Sequence, residues 1–191
     1  MSKDYRRLDK VMIKMEGVIL AAGQGTRMVS DRPKVLHEIL GLPMVVYVVR
    51  ALRGRTERIW MVTGHRGGEV EGSLEGLGLS FVRQEPQRGT GDAIRVVLPY
   101  LSAPWILVAP GDMPLLSERS LGSLIEHHAR GNLDVTVLTT VLEDSTGYGR
   151  VVREGDFVRA IVEDTEVGPR EREIREVNTG VYIFSLNVLK R

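Results

Sequence analysis

Three features of the chain predict an α/β fold, a doubly wound and mostly parallel sheet. A near-continuous apolar run, Gly17 to Ala22, suits a strand covered on both faces and passes directly into a loop with two glycines, Gly23-Gln-Gly-Thr-Arg-Met28. Strand and helix patterns then alternate as far as Arg130. The residues with the most chemistry follow the strands at their carboxyl ends, where ligands of open α/β sheets bind.

Each element has its own signal. Leu42 to Leu52, opened by Pro43 and closed by Gly54, fits a helix. Arg58 to Thr63 reads as a second strand ended by Gly64, and Gly68 to Leu77 as a weak helix diluted by glycine. Leu79 to Arg83 is a third strand, and Thr90 to Leu101 carries apolar residues at helical spacing. Trp105 to Ala109 is a fourth buried strand that delivers Pro110-Gly111-Asp112, and Ser117 is a suitable cap for a helix running to about Arg130. Beyond Asp134 the pattern turns to strands: Val135 to Leu142, Arg150 to Arg153, Phe157 to Glu163 and Val177 to Phe184, with Gly155-Asp156 as a hairpin turn. Ser185 to Arg191 reads as the opening of a helix, so the expected organisation is a leader, 1–16, with no assigned role and room for disorder, then one domain, 17–191, that stops short at its C-terminal side.

Composition narrows the function. The 191 residues suffice for one well-buried core but not for two large domains. A formal charge of +1, with no block of like charges, gives no reason to expect a nucleic-acid partner. The absence of cysteine excludes a disulfide scaffold, a thiolate nucleophile and a Cys-ligated zinc within this chain. It is compatible with a reducing cytoplasm, the expected location. No run approaches the roughly 20 apolar residues of a membrane span, and the leader lacks the apolar core of a signal peptide.

The loop after the first strand is the strongest chemical signal. Its glycines let backbone N–H groups approach a phosphate without an intervening Cβ, and Arg27 and Lys34 lie close enough in sequence to neutralise the charge. Asp112, delivered through Gly111 from a buried strand, suits a magnesium ligand; otherwise it is a loop or helix cap. Read by itself, Gln84 is equally a polar residue at a strand end, Glu163 a solvated charge and Asn178 a turn residue. The four histidines, His37, His65, His127 and His128, have no metal-ligand spacing.

Taken together, Ala21-Ala-Gly-Gln-Gly-Thr-Arg-Met28, Pro33-Lys34, Gln84 to Asp92, Gly111-Asp112, Thr146-Gly-Tyr-Gly-Arg150, Ile161-Val-Glu163 and Val177-Asn-Thr-Gly180 resemble the sugar-1-phosphate nucleotidyltransferases. Among them the motifs are most similar to the uridylyltransferase domain of the bifunctional bacterial N-acetylglucosamine-1-phosphate uridylyltransferase and glucosamine-1-phosphate acetyltransferase. The resemblance runs from about Glu16 to the last residue. It implies a nucleotide-diphospho-sugar transferase-like fold with a β-rich sugar-binding insertion towards the C-terminus. It also implies magnesium-dependent transfer of uridylyl from UTP to N-acetylglucosamine 1-phosphate in the cytoplasm, with these two small molecules as partners and neither nucleic acid nor membrane.

Carried over residue by residue, the resemblance makes Arg27 and Lys34 catalytic and Asp112 the metal ligand. It places Leu20, Ala21, Ala22, Gly23, Gln84, Gly89, Thr90, Gly111 and Asp112 around the nucleotide, and Gly149, Glu163 and Asn178 around the sugar. The chain departs from the family pattern at Gln24, where lysine is usual, and at Pro110, where an aromatic or small residue is usual. The family's second magnesium ligand, an Asn well beyond the Asn-Thr-Gly motif, and its trimer-forming acetyltransferase domain have no counterpart within these 191 residues, so the resemblance leaves the oligomeric state open. Two other functions fit the same motifs: a related enzyme with another sugar or base, and a nucleotide-sugar-binding module without turnover.

Overall fold

The computed structural model describes residues 14–23, 25, 28 and 30–191. The first strand, β1 (Met15–Ala21), lies inside the sheet between two parallel neighbours. It leads through the glycine loop and a short 3-10 turn, Lys34–Leu36, to a small hairpin of β2 (Glu38–Ile39) and β3 (Leu42–Pro43). Helix α1 (Met44–Arg53) returns the chain to β4 (Arg58–Thr63). Helix α2 (Gly67–Ser73) and β5 (Ser80–Arg83) follow, then α3 (Thr90–Val97), β6 (Trp105–Pro110) and α4 (Glu118–Gly131). The remainder is β7 (Val135–Val141), β8 (Arg150–Glu154), β9 (Phe157–Val162), β10 (Glu176–Ser185) and the short helix α5 (Leu186–Leu189).

The main sheet runs β5-β4-β1-β6-β10-β8-β9, with β7 also on β10. The first four strands of that order are mutually parallel, whereas β10 joins β6, β7 and β8 antiparallel. Alternation along the strands divides the core between the two faces. Ile19, Leu107, Val181 and Ile183 bury with α1 and α4; Val18, Val62, Ile106 and Val108 bury with α3 and Leu186. This covering of both faces is the expected doubly wound arrangement, and the antiparallel addition matches the β-rich C-terminal part.

Several boundaries differ from the sequence expectation for local reasons. The expected leader, 1–16, overlaps β1, which already includes Met15 and Glu16. Glu16 is only 4% exposed, yet its carboxylate accepts from Trp60 Nε1 at 3.2 Å and from the Ser102 and Ala103 amides at 2.7 and 2.9 Å. A charged residue can start this buried strand because those donors replace water. The helix expected from Leu42 begins at Met44 because Leu42 and Pro43 are drawn into pairing with Ile39 and Glu38. Helix α3 ends at Val97, where Pro99 turns the next residues into a 3-10 segment. At α4 the expected Ser117 cap is present, its hydroxyl accepting from the Ser120 amide at 3.1 Å.

Candidate functional site

A cleft opens where β1 and β6 end side by side. The Gly111 amide donates to the Leu20 carbonyl at 2.9 Å, extending the β1–β6 ladder one residue beyond β6. A Cβ on Gly111 would lie 3.1 Å from Val35 Cγ1 and 3.2 Å from that carbonyl. Glycine is therefore what lets the chain leave β6 close against β1 and present Asp112 at the rim.

Lys34 reaches the same point from the other side of the cleft. Its 3-10 turn is anchored by buried Val35 and Leu36, and its Nζ lies 2.5 Å from Asp112 Oδ2. Gly25 takes a left-handed φ of +61°, and a Cβ there would come within 2.9 Å of Lys34 Cβ, so Gly25 packs directly on the lysine stem. Leu20, Ala21, Gly23, Gly25, Met28, Lys34, Val35 and Asp112 enclose a cavity of about 250 Å3. Ala22 is buried behind it and belongs to the α3 side of the core. Lys34 and Asp112 both stay partly exposed, so the pair faces the cleft rather than the core. Arg27 and Gln24 lie outside the described residues.

Gln84, Gly89 and Thr90 come together between the end of β5 and the start of α3. Gln84 follows β5, with its amide bonded to the Thr63 carbonyl at 2.8 Å. Its side chain is only 2% exposed and donates to the Gly89 carbonyl at 2.9 Å and to Asp92 Oδ2 at 3.0 Å. Gly89, at φ +96°, precedes the first turn of α3, where Thr90 is exposed. Gln87, given no separate role in the sequence, lies against Gly64 at the end of β4. A Cβ on Gly64 would fall 2.7 Å from both Gln87 Nε2 and the Ala22 carbonyl, so the two atoms converge on that glycine.

The antiparallel half brings Gly149, Glu163 and Asn178 together. The Asn178 amide donates to the Gly149 carbonyl at 2.8 Å. A Cβ on Gly149 would meet Ile161 Cγ2 at 2.9 Å and Glu163 Oε1 at 3.3 Å, so the glycine admits the carboxylate. Tyr182 joins this group, although the sequence singled it out for nothing. Burial raises the affinity of its hydroxyl for the proton, a hydrogen bond with Asn178 opposes the shift, and the Glu163 charge reinforces it. Only strand alternation beyond the Asn-Thr-Gly turn could have pointed to it.

The two halves meet at the end of β6. A bulge interrupts β10 between Asn178 and Val181, and the Asn178 side chain accepts from the Gly180 amide at 2.9 Å. Gly180, at φ +80°, lies against Pro110: a Cβ there would be 2.9 Å from Pro110 Cγ. Pro110, the departure noted in the sequence, is thus the contact between the β10 bulge and the Asp112 loop. The histidines stay outside this site among the described lining residues. His128 is fully buried, its Nδ1 2.8 Å from Thr136 Oγ1 and its ring edge-on to Trp105.

A cation set against a carboxylate beside a glycine loop, at the carboxyl ends of parallel strands, is an arrangement suited to a phosphate ligand. The chain belongs to the family of MobA-like NTP transferase domains, whose match covers residues 17–152. It is 46% identical over 178 residues to the Bifunctional protein GlmU of Carboxydothermus hydrogenoformans, covering 92% of this chain and 40% of that protein. Against the Bifunctional protein GlmU of Thermus thermophilus it is 46% identical over 171 residues, covering 87% and 37% respectively. The chain therefore spans about two fifths of the length of these curated relatives. In fold it is similar to a UDP-glucose pyrophosphorylase solved with UDP-glucose, with a TM-score of 0.75 at 19% identity over 93% of this chain and 78% of the other. The resemblance and the fold class read from the sequence agree with these relatives, and the nucleotidyltransferase class agrees with the description of the matched family. No helix among the described residues is long and apolar enough to cross a membrane.

Proposed function

We propose that the chain transfers uridylyl from UTP to N-acetylglucosamine 1-phosphate, giving UDP-N-acetylglucosamine and pyrophosphate. The observation that carries this reading is the Lys34–Asp112 pair at the mouth of β1 and β6, with the Gly149–Glu163–Asn178 group beyond the shared Pro110. An oxygen of the sugar phosphate attacks the α-phosphorus, and the bond from that phosphorus to the oxygen bridging to the β-phosphorus breaks. Pyrophosphate leaves with the bonding electron pair. A phosphate dianion needs no strong base to attack, so the protein's task is to align two anions and offset their charge.

Lys34 neutralises charge on the triphosphate, with Arg27 as its expected partner from the glycine loop. The loop amides take phosphate oxygens, while Leu20, Ala21 and Gly23 form the floor, with Ala22 packed behind them. Gln84, Gly89 and Thr90 hold the base, and Gly149, Glu163 and Asn178 receive the hydroxyls and acetamido group of the sugar. Among the described residues no three His, Cys, Asp or Glu side chains form a metal cage, and Asp112 is the only carboxylate lining the cleft cavity. That donor set fits magnesium, which commonly takes one or two carboxylates and completes its shell with phosphate oxygens and water. Held by Asp112, magnesium would supply further charge neutralisation on the phosphates.

Pyrophosphate release, measured for each nucleoside triphosphate with each sugar 1-phosphate and with or without magnesium, tests the assignment. Fastest release is expected with UTP, N-acetylglucosamine 1-phosphate and magnesium. Release with dTTP and glucose 1-phosphate but not with the expected pair would replace both substrates. Nucleotide binding with no release from any pair would make this a binding module.

A further inference from the structure

We propose that Asp92 is a positioning residue for base selection, fixing the carboxamide of Gln84 so that it offers its oxygen, and not its NH2 group, to the nucleotide base. The inference rests on the proposed role of Gln84 at the base and adds a residue that the motif comparison left without one.

The orientation follows from the chemistry of the two partners. Gln84 Nε2 lies 2.9 Å from the Gly89 carbonyl oxygen and 3.0 Å from Asp92 Oδ2. A backbone carbonyl only accepts, and an ionised carboxylate only accepts, so both amide hydrogens must point at them. Neither bond uses the carboxamide oxygen. A flip of the amide would set that oxygen against two other acceptors in a nearly solvent-free position, where like partners repel most strongly.

Asp92 is itself held. Arg95, one turn further along α3, donates to Asp92 Oδ1 through Nε at 3.1 Å and Nη2 at 2.5 Å. Bonds from Gln84 and Arg95 keep the Asp92 carboxyl below its ordinary proton affinity. It therefore stays ionised, and acceptor-only, throughout the neutral range. The Gly89 carbonyl also accepts the Ala93 amide at 3.1 Å, which fixes it as the first carbonyl of α3. Gln84 is thus clamped between a helix end and a helix side chain.

This selects for the edge of the base. Uracil presents an N3–H donor between two carbonyls, which suits an oxygen on Gln84. Cytosine presents a lone pair at N3, which an oxygen would repel and to which an NH2 group would donate. A site built around one hydrogen-bond polarity rejects the inverse polarity far better than it rejects a change of size.

Asp92→Asn tests the inference, because the asparagine side chain is nearly the same shape but can turn its own NH2 towards Gln84 and release the flip. The ratio of kcat/KM for UTP to that for CTP is expected to fall about tenfold or more, mainly through a higher KM for UTP, with kcat and melting temperature nearly unchanged. In the free wild-type protein, the Gln84 side-chain amide hydrogens should exchange slowly with solvent by NMR, and faster in Asp92→Asn. A wild-type protein that prefers UTP, with a variant that keeps the whole preference, overturns the role of Asp92 and leaves the base site in place. Rapid exchange of the Gln84 amide in the free wild-type protein overturns it independently of activity or of how the variant folds. A wild-type protein indifferent to UTP and CTP removes the base-site reading and this inference together.

Discussion

The proposed nucleotide side and the proposed sugar side of the cleft are built by different means. On the nucleotide side, Asp112 and the glycine loop hang from the ends of β6 and β1, strands that are paired on both edges and packed under helices on both faces. On the sugar side, Glu163 follows β9, an outer strand whose residues from Phe157 to Ala160 are all exposed. Asn178 sits at a bulge, and β8 and β10 pair at one register position, Val177 with Arg150, with side-chain bonds beside it. Arg153 donates to both Glu176 oxygens at 2.6 Å, and Arg150 lies 3.0 Å from Asp164. A buried backbone ladder fixes position through many cooperative bonds, whereas a few side-chain bonds near solvent fix it weakly. Changes at the nucleotide rim should therefore alter chemistry without altering shape, and changes around the sugar group should alter shape first.

The largest effect expected is at Asp112. Asp112→Asn replaces a charged oxygen ligand by a neutral amide and removes the partner of Lys34, and turnover should fall by about 10²–10³-fold. The melting temperature should hold, since the Lys34–Asp112 pair is partly exposed and such pairs contribute little. Initial rates across a magnesium titration, with a thermal melt of the same sample, check both halves. An unchanged magnesium requirement in the variant would remove Asp112 from the site.

Glu16 tests whether the parallel side owes its rigidity to buried bonding. Glu16→Ala leaves two amides and an indole N–H without their acceptor, at a cost of about 3 kcal/mol, measurable by denaturant unfolding. The pH dependence has a defined sign. Burial alone would raise the carboxyl value, but bonds from Ala103, Ser102 and Trp60 and the nearby Arg58 charge bring it below 4.5 in the folded protein. The unfolded chain then binds more protons in that window. The contribution of Glu16 is complete above about 4.5 and fades as the pH falls through the folded value. Wild-type stability should drop there more steeply than that of Glu16→Gln; parallel curves would show that the carboxylate is not the source.

Gly149→Ala probes the sugar side. The added methyl must displace Ile161 Cγ2 and crowd Glu163. KM for the sugar phosphate should rise about tenfold while UTP binding, followed by calorimetry, stays within about twofold. Equal loss of both would show that the two sides move as one unit. The smallest effect belongs to the exposed face: Phe157, 70% exposed, should tolerate serine within about 0.5 kcal/mol in an unfolding titration. A larger loss would mean that β9 is packed in solution and that the contrast between the sides is overstated.

Much of this was legible in the chain. The alternation of apolar runs with helical patterns placed β4 residue for residue and the other long elements to within a few residues, because burial on a pleated or helical surface imposes its period on local sequence. The motifs at strand ends also led to the cleft: a Cβ would crowd the Lys34 stem at Gly25, and Val35 and the Leu20 carbonyl at Gly111, a constraint that confines the residue choice at these glycines and sets Asp112 beside them.

Other features were decided by contacts between distant segments. Nothing near Glu16 in the sequence indicates that Trp60, Ser102 and Ala103 will supply its donors, so it read as the end of a leader. Nothing near Pro110 indicates that Gly180 will rest against it and join the two sides of the cleft. Gln84 was readable as a polar group near a base, but which way its amide faces depends on the carbonyl of Gly89 and the carboxylate of Asp92. Sequence by itself determined the elements, their order and the residues able to do the chemistry, because those follow from local period, turn sterics and side-chain type. Tertiary structure decided the pairings, the orientation of donors and acceptors and the junction of the two sides, because hydrogen-bond direction and close packing exist only between groups that folding has brought together.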